Sequence, residues 1–258
     1  MNFKFPTTFM GKDGKKAYEK IINQKETPKK DLEKKVESQI IQPTGDLTYV
    51  TDEALYKEIT QYLKKEHPNL NNPLTFNNGV MKQSNTYIAT AIDMFCKKHM
   101  KEYRLATQLD LEQDLEFTKD TYNDSALALR NLKNDNSEQA NYLFNQLKQK
   151  GIKEKDFPIW FNLRDLELDS NLNFNLTDKS IYSTQECLNW KSGEKFSKTN
   201  NFGLPEKIDK SSSRQIWTSN IALSRCYLYR LSDLYSGDSG LSDSGGDGRV
   251  VLAKVRST

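Results

Sequence analysis

Apolar residues recur at helical spacing in some stretches of the chain and run alternately or contiguously in others, which separates helices from strands. Leu55, Ile59, Tyr62 and Leu63 share one face and predict a helix, capped by Thr51 or Asp52 and stopped before Pro68. Ala91, Ile92, Phe95 and Cys96 form a second helical stripe. Thr107 can cap a third helix whose apolar face includes Leu111 and Leu115. Residues 125–150 read as helical through Leu127, Leu129, Leu132, Tyr142, Leu143 and Leu147, split by a turn at residues 134–137. Residues 157–163 are aromatic and read as a core strand, and residues 170–176 alternate polar with apolar. Ile216 and Trp217 suit a half-buried strand, with Trp217 a candidate core residue. Val250, Val251 and Leu252 form a short apolar run of the kind buried in a sheet. Residues 69–79, 189–193 and 203–206 read as loops and turns.

The ends of the chain depart from this pattern. Residues 11–42 are dominated by Lys and Glu, with Leu32, Val36 and Ile40 at helical spacing, which reads as a solvated helix or a partly ordered arm. The turn Pro43-Thr44-Gly45-Asp46 marks a boundary, so residues 1–45 form a charged N-terminal arm and residues 46–258 the folded domain. At the other end, residues 218–253 contain no Lys, Glu, Gln, Met or Trp. Tyr, Ser, Asp, Gly, Arg and Leu replace them, an alphabet close to that of an antibody paratope. The five missing residues are those that codons ending in a pyrimidine cannot encode. Asn codons end in a pyrimidine; randomising their adenines frees the first two letters and still never yields these five. A Gly/Ser/Asp-rich loop of low complexity is the plainer alternative, although the segment closes on a strand rather than trailing off.

Composition narrows the function. A chain of 258 residues allows one large domain or two small ones. Lys+Arg 38 against Asp+Glu 35 gives a net charge of +3, too weak to argue for nucleic acid. Apolar content of 36 % with many aromatics permits a sizeable core, and no apolar run approaches a membrane span. The N-terminus lacks the long apolar centre of a secretory signal, so cytoplasmic, virion and surface locations all stay open. Cys96, Cys187 and Cys226 match no zinc spacing, and whether any two of them bridge stays open.

The stripe ending in Phe95-Cys96, followed by Arg104-Leu105-Ala106-Thr107 and Glu112, resembles a signature of the formylglycine-generating-enzyme class of C-type lectin folds. In that family a helix ending in Ala-x-x-Phe/Tyr-Cys precedes Tyr-Arg-Leu-Pro-Thr-Glu-Ala-Glu-Trp-Glu. Arg104, Leu105, Thr107 and Glu112 match it, while Ala106 stands for the Pro, Gln108 for the first Glu and Leu111 for the Trp. In such folds a late Trp-Thr-Ser strand leads into a variable connection, and a final strand pairs back near the termini. Residues 216–219 and 249–252 sit in those places, and the codon-restricted stretch between them resembles the variable region of proteins diversified by retroelements. The resemblance covers roughly residues 46–258 and implies an α+β protein with a C-type lectin fold that displays a hypervariable surface for a macromolecular ligand, expected to be a protein.

On that reading Leu223, Leu228 and Leu234 pin the segment to the core, and Tyr227 and Tyr229 can serve core or surface. The candidate ligand-binding positions are Arg225, Cys226, Arg230, Leu231, Tyr235, Gly237, Asp238, Gly240, Ser242, Gly245, Gly246 and Asp247. Arg225, Arg230 and Tyr235 are the expected anchors, because Arg and Tyr carry disproportionate binding energy. Catalysis is not expected. Gly237-Asp238-Ser239-Gly240 is similar to the nucleophile segment of trypsin-like proteases, but that chemistry needs a placed His, and the two histidines are His67, before Pro68, and His99, on a predicted helix. The formylglycine-generating activity uses a copper-binding cysteine pair, whereas Cys226 stands alone in the late region. The Asp/Gly-rich run supplies carboxylates that calcium could use, yet the Glu-Pro-Asn and Trp-Asn-Asp motifs of calcium-dependent lectins are absent, and solvated loop carboxylates are the simpler reading. No cofactor or metal is expected. The competing classes are a formylglycine-generating or sulfatase-modifying enzyme, and a structural virion or surface module.

Overall fold

The structure, a computed structural model, describes residues 8–9, 12–13, 46–130, 137–229, 233–238 and 240–255. The chain divides into two units, residues 1–41 and 42–258. In the first, β1 (Thr8–Phe9) pairs antiparallel with β2 (Lys12–Asp13). The rest of the expected charged arm lies outside the described residues.

The second unit begins with β3 (Leu47–Tyr49) and α1 (Glu53–Glu66). Asp52 caps α1 by accepting from the Ala54 and Leu55 amides, and Ile59 and Leu63 are buried on its apolar face. The expected loop at 69–79 carries a short hairpin, β4 (Thr75–Asn77) and β5 (Val80–Lys82). Asn78 (φ 55°) and Gly79 (φ 72°) form its turn, the pair of left-handed residues that tight hairpins require. The second stripe is α2 (Thr86–His99), which buries Ala91, Ile92, Phe95 and Cys96 as expected. After β6 (Tyr103–Leu105) comes α3 (Gln108–Gln113), where Thr107 and Asp110 cap each other's backbone amides. Leu115 falls beyond the end of α3 and is half-buried.

Residues 123–129 overturn one expectation. They form β7 (Asn123–Leu129), buried at every position, rather than the start of a helix. By alternation Leu127 and Leu129 face one side of the strand and Ala126 and Ala128 the other. A strand buried on both faces loses its polar alternation, so its apolar run also fits a helical template. The helix begins only at α4 (Glu138–Gln149), capped by Ser137, with Leu143 and Leu147 inward. Leu132 and most of the expected turn lie outside the described residues.

The remaining strands are β8 (Ile159–Asn162), β9 (Leu166–Leu168), β10 (Phe174–Leu176), β11 (Tyr182–Thr184), β12 (Glu194–Lys195), β13 (Gln215–Thr218), β14 (Leu223–Tyr229), β15 (Asp233–Asp238) and β16 (Val251–Lys254). The architecture is α+β. Seven strands in the order β11-β8-β7-β14-β15-β13-β12 make a curled sheet, a half-barrel, in which only the β13–β15 pair is parallel. A separate sheet, β3-β16-β6, ties the last strand to the start of the unit. Trp160, Phe161, Phe174 and Phe196 are among the largest fully buried side chains. Trp217 is not a core residue and is 37 % exposed. Its neighbour Ile216 takes the inward position on β13, and alternation turns the indole outward.

The residues that resemble the lectin signature have definite structural roles. Arg104 donates through two nitrogens to the Asp110 carboxylate, at 2.6 and 2.9 Å. Glu112 receives the Arg214 guanidinium in the same two-point manner, at 2.8 and 2.7 Å. These pairs tie α3 to β6 and to the entry of β13.

Candidate functional site

The codon-restricted segment folds into the hairpin β14–β15 and the loop that follows it. Alternation sorts the hairpin. Leu228 and Leu234 point inward and are at most 1 % exposed, and Leu223, on the opposite side of β14 from Leu228, is also buried at 3 %. Ser224 and Ser236 also point in, where Arg130 reaches them from the end of β7. The Arg130 guanidinium donates to the Leu188 carbonyl, the Ser224 hydroxyl, and the Ser236 carbonyl and hydroxyl. A single buried side chain therefore joins β14 and β15 from beneath.

On the other side the strand register builds a row of rings. Tyr227 lies opposite Tyr235 across β14–β15, and Trp217 lies beside Tyr235 across β13–β15. Their planes are nearly parallel: Tyr227 and Tyr235 stand 5.2 Å apart at 9°, and Tyr235 and Trp217 6.0 Å apart at 20°. Tyr229 meets Tyr235 edge-on at 5.9 Å and Tyr122 edge-on at 6.1 Å. The Trp217 indole N–H donates to Asp233, whose other oxygen accepts from the Gln215 amide. Each ring is thus held by its neighbours, while Tyr227, Tyr229 and Tyr235 stay half-buried and Trp217 exposed.

The loop beyond β15 closes over one end of this row. Asn85 donates to the Ser242 carbonyl and the Ser244 hydroxyl, both at 3.0 Å, and Leu241 is buried. The Tyr122 hydroxyl donates to the Ser84 carbonyl and accepts from the Gly245 amide. Ser242, Gly245, Gly246 and Asp247 are exposed, and Asp247 approaches the Tyr229 hydroxyl at 3.5 Å. Gly237, Asp238 and Gly240 are half-buried. The glycines differ in what they would tolerate: a Cβ at Gly246 meets nothing, whereas one at Gly237 lies 3.2 Å from the Thr218 backbone.

Two of the expected surface positions are corrected. Arg225 is 3 % exposed and Cys226 fully buried. Arg225 is paired with Asp124, which is itself buried; burial pulls the guanidinium down, but the carboxylate outweighs that and holds it above its ordinary value. Cys226 packs inside the sheet, its thiol on the Ser236 hydroxyl at 3.3 Å. Burial pushes Cys226 up to about 11, and it pushes Cys187 up to about 12, with the nearby Cys226 adding to the effect. Both are free thiols, as is the buried Cys96. Arg230 and Leu231 lie outside the described residues.

The face therefore contains Tyr235, Gly237, Asp238, Gly240, Ser242, Gly245, Gly246 and Asp247 of the expected set, joined by Trp217, Tyr227, Tyr229 and Asp233. Tyr122 and Asp124 enter from outside the codon-restricted segment. The pairing of β7 with β14 brings Asp124 here, a parallel bridge to Gly248 brings Tyr122, and no local motif announces either. Among the described residues, no group of three or more His, Cys, Asp or Glu is placed to hold a metal ion, and no helix is long and apolar enough to cross a membrane. Comparison of the chain with family models, with curated proteins and with solved structures returns no match.

Proposed function

We propose that this chain is a non-catalytic ligand-binding protein, built on an α+β scaffold of the C-type lectin type, whose C-terminal face is diversified by a retroelement to bind a protein. The observation that carries the reading is the sorting of residues 218–253. Leucines and small polar residues of the segment turn into the sheet, while Tyr227, Tyr229, Tyr235 and the 242–247 loop gather on one face. Rings immobilised by one another lose little freedom on binding, which suits a protein contact of standard size, roughly 800 Å² on each side. The lectin assignment draws support from the return of β16 to β3 and β6, and from the ion pairs that Arg104 and Glu112 make. The competing oxidase reading needs a reactive thiol pair. Cys187 and Cys226 are neighbours, but both are buried and held as neutral thiols far from the range of reactive cysteines.

A display library tests the proposal. Tyr227, Tyr229, Tyr235, Ser242, Gly246 and Asp247 are randomised with pyrimidine-ending codons and selected against a panel of proteins. A control library randomises Glu58, Gln61, Lys64 and Lys65 on the exposed side of α1. The expected result is folded binders from the first library in clear excess over the second. Equal or lower recovery from the first library contradicts the display reading.

A further inference from the structure

Inside the same face is a closed box that the chain fills with its own side chain. Arg225 donates from Nε to Asp124 Oδ1 at 2.7 Å and from Nη2 to Oδ2 at 2.5 Å, the two-point geometry that a planar guanidinium makes with a carboxylate. Tyr122 and Tyr227 lie against the guanidinium, their ring centroids 4.9 and 4.7 Å from its central carbon. Nη1 donates to the Asp243 carbonyl at 3.0 Å and toward that of Gly240 at 3.4 Å. Carboxylate, paired rings and carbonyls together meet the shape and the hydrogen-bonding needs of a guanidinium, and an ammonium would use only part of them.

The walls have partners besides Arg225. Asp124 sits in β7 and also accepts from the Thr86 hydroxyl at 3.2 Å. Tyr122 is tied to Ser84 and Gly245. The loop carrying the carbonyls is held by Asn85, by the Thr86 amide on Leu241 O at 3.2 Å, and by the Gln83 amide on Gly248 O at 3.0 Å. Asp238 borders the box, its carboxylate 3.8 Å from Nη1 and its side chain 37 % exposed.

We propose that this box is a guanidinium-binding site, filled here by Arg225, which a short side chain at position 225 opens to an arginine presented by a partner protein. The box itself stands on geometry; its use by a partner rests on the reading that position 225 changes between related chains. Arg225→Ala and Arg225→Ser variants are melted with methylguanidinium, with methylammonium, or with sodium chloride at equal ionic strength. The expected result is a rise in Tm of about 3–6 °C with methylguanidinium at ten times its Kd, absent from the other additives and from the unsubstituted chain. If neither variant folds alone, the yield of refolding with and without methylguanidinium is read instead, with the same expectation. Adding Asp124→Asn to either variant should abolish the effect. An equal response to all additives, or a response that survives Asp124→Asn, overturns the box. A Gly-Arg-Gly peptide should stabilise the variants as methylguanidinium does. Response to the ion but not to the peptide overturns the partner arginine and leaves the display reading to its own test.

Discussion

Leu234 and Tyr235 are neighbours on β15 that face opposite sides, and substituting each in turn tests the proposed separation of scaffold from display. Leu234 is completely buried, opposite Leu228 on one side and Ile216 on the other. Leu234→Ala removes buried methyl groups at a place where three strands are hydrogen-bonded and the walls have little room to collapse, which costs about 3 kcal/mol, within the usual 2–5. Tyr235 is larger but half-buried. Tyr235→Ser loses contacts to Tyr227, Trp217 and Tyr229. Aromatic pairs are worth about 0.5–1.5 kcal/mol each, and partial exposure with regrouping of the remaining rings brings the total to about 1 kcal/mol. In a unit of this size 1 kcal/mol moves Tm by roughly 2–4 °C, so about 6–12 °C is expected for Leu234→Ala and about 2–4 °C for Tyr235→Ser. Circular dichroism melts, with urea titrations to confirm the ranking, read both values. Tyr235→Ser costing as much as Leu234→Ala would mean that the exposed rings hold the fold together, and the separation of scaffold from display would fail.

Arg225→Ser should cost about 3–5 kcal/mol by leaving Asp124 buried without its partner, as a urea titration will read. Trp217→Ala should cost no more than about 1 kcal/mol, since the indole is on the surface, yet should abolish binding to any protein selected on this face. His67 is buried with neither ring nitrogen bonded, and burial holds its imidazole below its ordinary value. Its unfolded form binds the proton more readily, so its contribution to stability is full above about pH 6.5 and falls as the pH drops toward the folded value. Urea midpoints between pH 7.5 and 5.5 should fall, and His67→Phe should flatten that slope. The thiols of Cys96, Cys187 and Cys226, raised to about 12, about 12 and about 11, should resist a thiol reagent at pH 8 in the folded chain and react fully in denaturant.

The helices with clear caps and one-sided stripes were legible, because Asp52 and Thr107 sit where free helix amides need acceptors. β7 was not, because a strand buried on both faces has no polar alternation to mark it. The burial of Leu223, Leu228 and Leu234 followed from their being apolar in a polar segment, and the exposed half of the loop followed from its composition. Arg225 and Trp217 failed for one reason. Sequence shows a residue's own polarity and not its neighbours: Arg225 goes inside because Asp124 waits on the adjacent strand, and Trp217 stays outside because Ile216 holds the inward place. Tyr122 and Arg130, which support the face from its edge and from beneath, are distant in sequence, and their contacts with it exist only in the folded chain.

The central claim, that residues 218–253 are rewritten while the scaffold stays fixed, is tested most directly by sequencing the DNA around this coding region. The account predicts a near-copy of the codons for these residues, differing from them at adenines of the copy, beside a gene for a reverse transcriptase. It further predicts that the codons for Tyr227, Tyr229, Tyr235 and Asp247 align with adenine-bearing codons, and those for Leu228 and Leu234 with codons lacking adenine in their first two positions. A flanking region without such a copy, or a copy whose differences fall on the codons of the buried leucines, would contradict it.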